Sequence, residues 1–260
     1  MHDRTWLSRG FPGLSELFPT HLAFSKATIA DWLGKRLESV SFVEAAELSS
    51  MVFLNRGARF EAVPLPSLAQ LAPVFAINVG DADGDGVEDL FLSQNFFGTA
   101  SDISRDDSGR GLWLLGKGDG TFTGLDASVS GVKILGEQRG AALADFNHDG
   151  KIDLVVSQNS SATKLYLNRG ARQGLRVVLR GAPANPDGVG SQMRAVYANK
   201  RMGPCRTVQA GSGYWSQDAA AQVLGLIEPP AAVWVRWPGG TEQVVAVPNQ
   251  QRTIEITNQE

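Results

Sequence analysis

The 260-residue chain has a single cysteine, Cys205, so no internal disulfide can form; a reactive thiol and an inert buried one both remain open for it. It has three histidines, scattered along the sequence, and they form neither a zinc-ligand spacing nor a visible Ser/His/Asp constellation. No stretch approaches the roughly 20 consecutive apolar residues of a membrane-spanning helix. The net charge is only −3, with no clustered basic face, which argues against a nucleic-acid binder. No apolar stretch follows Met1-His-Asp-Arg-Thr-Trp6, so this chain is expected to carry no signal peptide.

What the chain has in quantity is turn formers, 29 glycines and 12 prolines, which suit short strands joined by frequent turns. Residues 1–50 differ. Ile29, Trp32, Leu33, Leu37, Val40 and Val43 fall mostly at three- and four-residue steps, which predicts an amphipathic helix or helix pair within 25–48, broken near Gly34.

Internal repetition organises the middle. Asp89-Leu-Phe-Leu-Ser-Gln-Asn95 matches Asp153-Leu-Val-Val-Ser-Gln-Asn159 at an offset of 64 residues. Out of phase with these, Phe53-Leu-Asn-Arg-Gly-Ala-Arg59 resembles Tyr166-Leu-Asn-Arg-Gly-Ala-Arg172, and Asp119-Gly120 is a tight-turn dipeptide between them. The predicted order is hairpin, acidic loop, strand, hairpin, acidic loop, strand, hairpin. A unit of this length with about four strands is what a propeller blade requires. From Gly174 onward, 175–180, 193–197, 232–237, 243–247 and 252–256 read as separate short strands, several alternating apolar with polar residues. The domains are therefore 1–50, helical or irregular; 51–173, blades with two acidic loops; and 174–260, a small β-domain.

The acidic loops carry the clearest chemistry. Oxygen ligands at alternate positions wrap a hard cation of calcium's size. In the first loop Asp81, Asp83 and Asp85 offer carboxylates, Val87 its carbonyl, and Asp89 closes the set. The second repeats this with Asp145, Asn147, Asp149, the carbonyl of Lys151, and Asp153. Gly86 and Gly150 permit the sharp turn. An EF-hand needs a carboxylate at loop position 12 and a helix after it; Leu92 and Val156 stand there, and β-prone residues follow. The cofactor expected is Ca2+ at two sites, mainly as a staple for the fold. The neutral Asn147 and the nearby Lys151 predict weaker binding in the second loop, and His148 is expected to face solvent.

Asp-x-Asp/Asn-x-Asp-Gly-x-x-Asp followed by a short apolar strand resembles the FG-GAP, or VCBS, repeat of integrin-like β-propellers. Asn185-Pro-Asp-Gly-Val-Gly190, Gln209-Ala-Gly-Ser-Gly-Tyr-Trp-Ser-Gln217, Gln222-Val-Leu-Gly-Leu226 and Val233-Trp-Val-Arg-Trp-Pro-Gly-Gly240 resemble the ASPIC/UnbV domain. The combination is similar to the cartilage acidic protein 1 family. It implies a mainly β fold, partial FG-GAP-type propeller blades before a small β-sandwich-like ASPIC/UnbV domain, with a short helical N-terminal segment. It also implies an extracellular or cell-surface location. About two blades are present and Trp6–Pro12 resembles the interior of a longer family member, so the missing N-terminal blades of a longer chain count among the expected partners.

Asn185 and Asp187 read either as a tight turn or, with Gln209, Ser212, Tyr214 and Gln217, as the lining of a ligand groove. Trp234 and Arg236 share one strand face with Trp237 opposite, so at least one indole is expected to be exposed, for a sugar ring or a partner. The sequence thus reads as a calcium-binding, non-catalytic adhesion or interaction module whose partner is a protein or polysaccharide. The competing reading is a polymer-acting hydrolase or an accessory carbohydrate-binding protein. For the hydrolase, Asp126, Glu137, Asp187, Asp218 and Glu242 are available, but no spacing singles out a pair.

Overall fold

A computed structural model describes residues 4–101 and 103–258; the signal-peptide reading at Met1–Asp3 lies partly outside them. The chain divides into two compact units, Met1–Leu48 and Ser49–Glu260. No helix among the described residues is long and apolar enough to cross a membrane.

The first unit holds short helices, α1 (Arg4–Gly10), α2 (Leu14–Leu17), α3 (His21–Lys26) and α4 (Ile29–Leu33), and a 3-10 turn at Gly34–Ser39. Thr20 caps α3 by accepting from the Ala23 N–H, and Thr28 with Asp31 forms a capping box on α4. Helix α4 stops at Gly34, φ +50°, the break the sequence marked. The expected helix does not continue to residue 48: 40–48 carry no helix, and Val43 is fully exposed. These helices are each about two turns or fewer, so caps rather than length define them.

The second unit is β throughout apart from short turns. Strands β1 (Met51–Asn55) and β2 (Phe60–Pro64) form a hairpin. An antiparallel meander follows in the order β3 (Val74–Gly80), β4 (Asp89–Gln94), β5 (Leu112–Gly116), β6 (Phe122–Leu125). After a single helical turn, α5 (Ala127–Ser130), a second meander comprises β7 (Glu137–Ala144), β8 (Asp153–Asn159) and β9 (Ser161–Tyr166). Each acidic loop joins the first two strands of its meander, and the registers match: Gly80 pairs with Asp89, and Ala144 with Asp153.

Strand β4 is buried on both faces, which is why it reads as the apolar run Leu90-Phe-Leu rather than an alternation. Phe91, with Ala76 and Trp113, packs against Ala141, Leu143, Leu154 and Val156 of the second meander. Leu92, Leu112 and Leu114 face the other way, onto Leu65 and Ala69. Burying each such Leu or Phe contributes about 2–3 kcal/mol.

The carboxy-terminal part contains β10 (Leu175–Arg180), β11 (Gln192–Val196), β12 (Arg206–Thr207), β13 (Gln222–Leu224), β14 (Ala232–Arg236), β15 (Glu242–Ala246) and β16 (Thr253–Thr257). They form two sheets, β13-β10-β16 and β12-β11-β14-β15. Strands β10 and β16 run parallel, so the whole second sheet lies in the crossover between them. Alternate residues point inward: Leu175, Val177 and Leu179 of β10, Val233 and Val235 of β14, and Ile254 and Ile256 of β16 share one core with Met193, Tyr197 and Trp237. Val223 of β13 joins the core of the second meander instead, tying the two parts together.

Two further readings do not hold. The third hairpin, at Tyr166–Arg172, does not form; after β9 the chain turns back across the first acidic loop. Cys205 is exposed, which removes the buried-thiol reading.

Candidate metal centres

The first ladder is a loop folded around its own carboxylates. Asp81 Oδ1 accepts from the N–H groups of Gly84 (2.7 Å) and Asp85 (3.0 Å), and its Oδ2 from Gly86 (2.7 Å). Asp83 accepts from the Asp85 N–H (3.0 Å), and Asp85 from the Val87 N–H (2.8 Å). Asp89 closes the loop, accepting from the N–H of Ala82 (2.7 Å) and, across the sheet, from that of Gly116 (2.8 Å). Carboxylate oxygens of Asp81, Asp83 and Asp89 thereby lie within 4.8 Å of one another.

Electrostatics follow from this crowding. Asp81 and Asp89 are 5% and 1% exposed. Burial pushes the Asp89 carboxyl up to about 7, with the charges of Asp83 and Asp81 adding to the rise. Burial also raises Asp81, against the pull of its three N–H donors.

The second ladder repeats the wiring. Asp145 accepts from the N–H groups of Asp149 (2.9 Å) and Gly150 (3.1 Å), Asn147 from that of Asp149 (3.2 Å), and Asp149 from that of Lys151 (3.0 Å). Asp153 accepts from Phe146 (2.9 Å) and from Asn168 (2.8 Å), the counterparts of Ala82 and Gly116. Gly86 and Gly150 have φ of +88° and +79°, as the turn requires. His148 is exposed at φ +60°, at the position that Gly84 occupies in the first loop.

The ladders differ in their cations. The Lys151 ammonium donates to the Arg169 carbonyl at 2.9 Å. Arg176, from β10, brings its Nε within 3.7 Å of Asp145 Oδ2. Sequence reading missed it because it lies in a different sheet.

Further contacts were not foreseen. Asn168 donates its side-chain amide to the carbonyls of Ala82 (2.7 Å) and Ile152 (3.1 Å), linking the loops, while the Arg172 N–H reaches the Asp83 carbonyl at 2.9 Å. Gly225 lies so close that a methyl group there would stand 1.4 Å from Asp81 Oδ2. The repeated Asn-Arg-Gly-Ala-Arg motif pointed to 168–172 as special without revealing this clamp.

The other candidate residues separate. Asn185 spends its side chain on the turn, donating to the Val189 carbonyl (2.8 Å) and accepting from its N–H (2.9 Å), which favours the turn reading; Asp187 is exposed beside it. Trp237 is buried, and Trp234 is half-buried with Nε1 donating to Glu242 (3.0 Å), while Arg236 is exposed. Gln209 and Ser212 instead line a cleft of about 340 Å³ with Asp218 and Gln222, and Tyr214 and Gln217 sit on the turn beside it.

These features define the class of the carboxy-terminal part: residues 181–260 match the family model described as ASPIC and UnbV. Among individual proteins, the chain is similar to cartilage acidic protein 1. It is 41% identical to the Xenopus tropicalis protein over 69 residues, 26% of this chain and 11% of that one. Against the Homo sapiens protein the figures are 41% over 70 residues, 26% and 11%, and against that of Mus musculus 38% over 79 residues, 30% and 12%. The match thus spans about a ninth of these relatives' length.

Proposed function

We propose that this chain is a calcium-binding, non-catalytic interaction module of an extracellular or cell-surface protein, with calcium in two FG-GAP-type loops serving mainly to hold the fold. The observation that carries this reading is the convergence of Asp81, Asp83 and Asp89 within 4.8 Å, in a loop wired like its partner 64 residues on. An oxygen-only donor set of this charge suits calcium. Asp81, Asp83, Asp85, Asp89 and the carbonyl of Val87 would hold one ion. Asp145, Asn147, Asp149, Asp153 and the carbonyl of Lys151 would hold a second, more weakly. Bound calcium would neutralise carboxylates that otherwise repel one another and would stabilise the folded state by mass action. Similarity to proteins named for cartilage supports the extracellular part of the reading.

The β1–β2 hairpin supports partnership with further blades. Asn55 accepts from the Gly57 N–H (2.8 Å) as Asn168 does from Gly170 (3.2 Å), so β1 ends like β9. Phe53 and Phe60 stand 62% and 68% exposed, as outer strands of a blade with no neighbour on that side would.

Calorimetric titration of chelator-stripped protein tests the assignment. Two calcium equivalents are expected, the tighter one lost in Asp83→Ala, together with a rise in Tm. Absence of calcium heat, with a Tm unmoved by EDTA, would sink it.

A further inference from the structure

We propose that the cleft between β3 and the segment Cys205–Gln222, together with the adjoining turn that carries Trp215, binds a neutral saccharide chain. This rests on reading the chain as an interaction module, and on no bound metal.

The cleft, about 340 Å³, has an apolar floor of Ile77 and Val79, which stand 50% and 45% exposed on β3. Its walls are short polar groups, among them Thr207, Gln209, Ser212 and Asp218. The Thr207 hydroxyl and the Gln209 amide have no partner among the described residues. The one cation on the wall, Arg206, is already held by Glu88 (2.8 Å) and the Val79 carbonyl. Asp218 is anchored by the Asn78 amide (2.9 Å) and the Leu143 N–H (2.7 Å). A guanidinium whose charge is already paired with Glu88, beside the fixed Asp218 carboxylate, disfavours an anion, while apolar floor and polar walls suit a ring with one C–H face and a rim of hydroxyls.

The turn at the edge of the cleft supplies the second element. Ser212 accepts the Asp218 N–H on its hydroxyl (2.7 Å) and donates its own N–H to the Ser216 carbonyl (3.0 Å), while Gly213 bridges to Ser216. The Tyr214 ring stands edge-on to Phe75 at 5.7 Å, and its carbonyl packs over Gly140. The base of the turn is therefore fixed. At its tip Trp215 adopts φ +52°, a strained conformation for a bulky residue, and is 93% exposed. Neither the strain nor the bare indole serves the fold, and such strain gathers where a side chain must be held out for use. Ser216 and Gln217 follow it and the half-exposed Tyr214, whose ring edge is held against Phe75, precedes it, so the indole stands beside one amphipathic phenol rather than within a run of aliphatic side chains. That fits stacking on a sugar face better than docking of an apolar protein surface.

The test uses the whole chain, saturated with calcium, titrated with neutral oligosaccharides of glucose, mannose and xylose and with a uronate oligomer. Binding of a neutral member with protection of Trp215 from iodide quenching is expected. Trp215→Ala should weaken it about tenfold, Trp215→Phe less, and Gln209→Ala severalfold, with the calcium isotherm and Tm unchanged. Failure of every neutral sugar on a folded, calcium-binding chain overturns the proposal, as does binding indifferent to Trp215→Ala and Gln209→Ala. Preference for the uronate, or protection of Trp215 by apolar vesicles alone, overturns the ligand class. Sugar binding by a chain that takes up no calcium would leave this site standing and refute the calcium reading.

Discussion

Calcium, if it takes the first ladder as proposed, would compete with a proton. The Asp89 carboxyl, 1% exposed and facing Asp81 and Asp83, is pushed up to about 7 in the metal-free protein. It is therefore about nine-tenths protonated at pH 6, half at pH 7 and a tenth at pH 8. A cation that takes Asp89 as a ligand releases that proton, so apparent affinity should rise about fivefold from pH 6 to 7 and about twofold more by pH 8. Calorimetry at each pH in two buffers of different ionisation enthalpy reads both the affinity and the protons released. The same shift has a stability consequence. Its folded value lies above the unfolded 3.8, so the Asp89 contribution is fully present below that pH and is lost as pH rises through 7. In EDTA, urea melts should show about 2–3 kcal/mol less stability at pH 7.5 than at pH 5 from this group alone. Asp81, Glu88 and Asp218, all raised chiefly by burial, add in the same direction. Glu137, lowered through the Phe97 N–H, Asn159 and Arg139 in spite of its burial, works against them. An affinity flat between pH 6 and 8 with no proton release would refute the reasoning.

Three substitutions probe the surroundings of the ladders. Gly225→Ala places a methyl group 1.4 Å from Asp81 Oδ2, so it should cost about 1–3 kcal/mol in a urea melt and weaken the tighter calcium step; wild-type values in both would show that the contact is absent. Asn168→Ala leaves the Ala82 and Ile152 carbonyls without their donor, about 1–3 kcal/mol, and should speed amide exchange at Ala82–Asp85. Unaltered exchange there would count against the clamp. Arg176→Met removes the guanidinium beside Asp145 and should tighten the second calcium step severalfold with the first unmoved, whereas a weaker second step would make Arg176 a support for the site rather than a competitor.

The ladders were legible because their wiring is local. Every bond that shapes the first loop from within joins residues at most seven apart, from Asp81–Gly84 to Ala82–Asp89, so alternation of Asp with Gly carries the geometry on its face. The carboxy-terminal strands were legible for a similar reason, since Val233-Trp-Val and Ile254-Glu-Ile alternate across a half-buried sheet. Where local pattern ended, reading failed. Val40 and Val43 continue a helical spacing past Gly34, yet no tertiary face receives them and 40–48 carry no helix. Tyr166–Arg172 copies a hairpin sequence, yet Asn168 bonds to the Ala82 and Ile152 carbonyls of the two acidic loops and no returning strand forms there.

The groups that set the character of each site come from far along the chain. Asn168 reaches Ala82 across 86 residues, and Asp218 reaches Asn78 across 140. Such pairings leave no periodic trace, because one residue on each side suffices and its type is common. The two loops, which share three aspartates and a glycine at matching positions, thus acquire different surroundings: Gly225 closes on Asp81, and Arg176 on Asp145. The guanidinium beside Asp145 would compete with an external cation for that carboxylate, whereas the Gly225 backbone brings no such charge to Asp81. On the proposed calcium reading, the ranking of the two sites would follow less from Asn147 and Lys151 than from what the carboxy-terminal sheets bring to the first aspartate of each ladder.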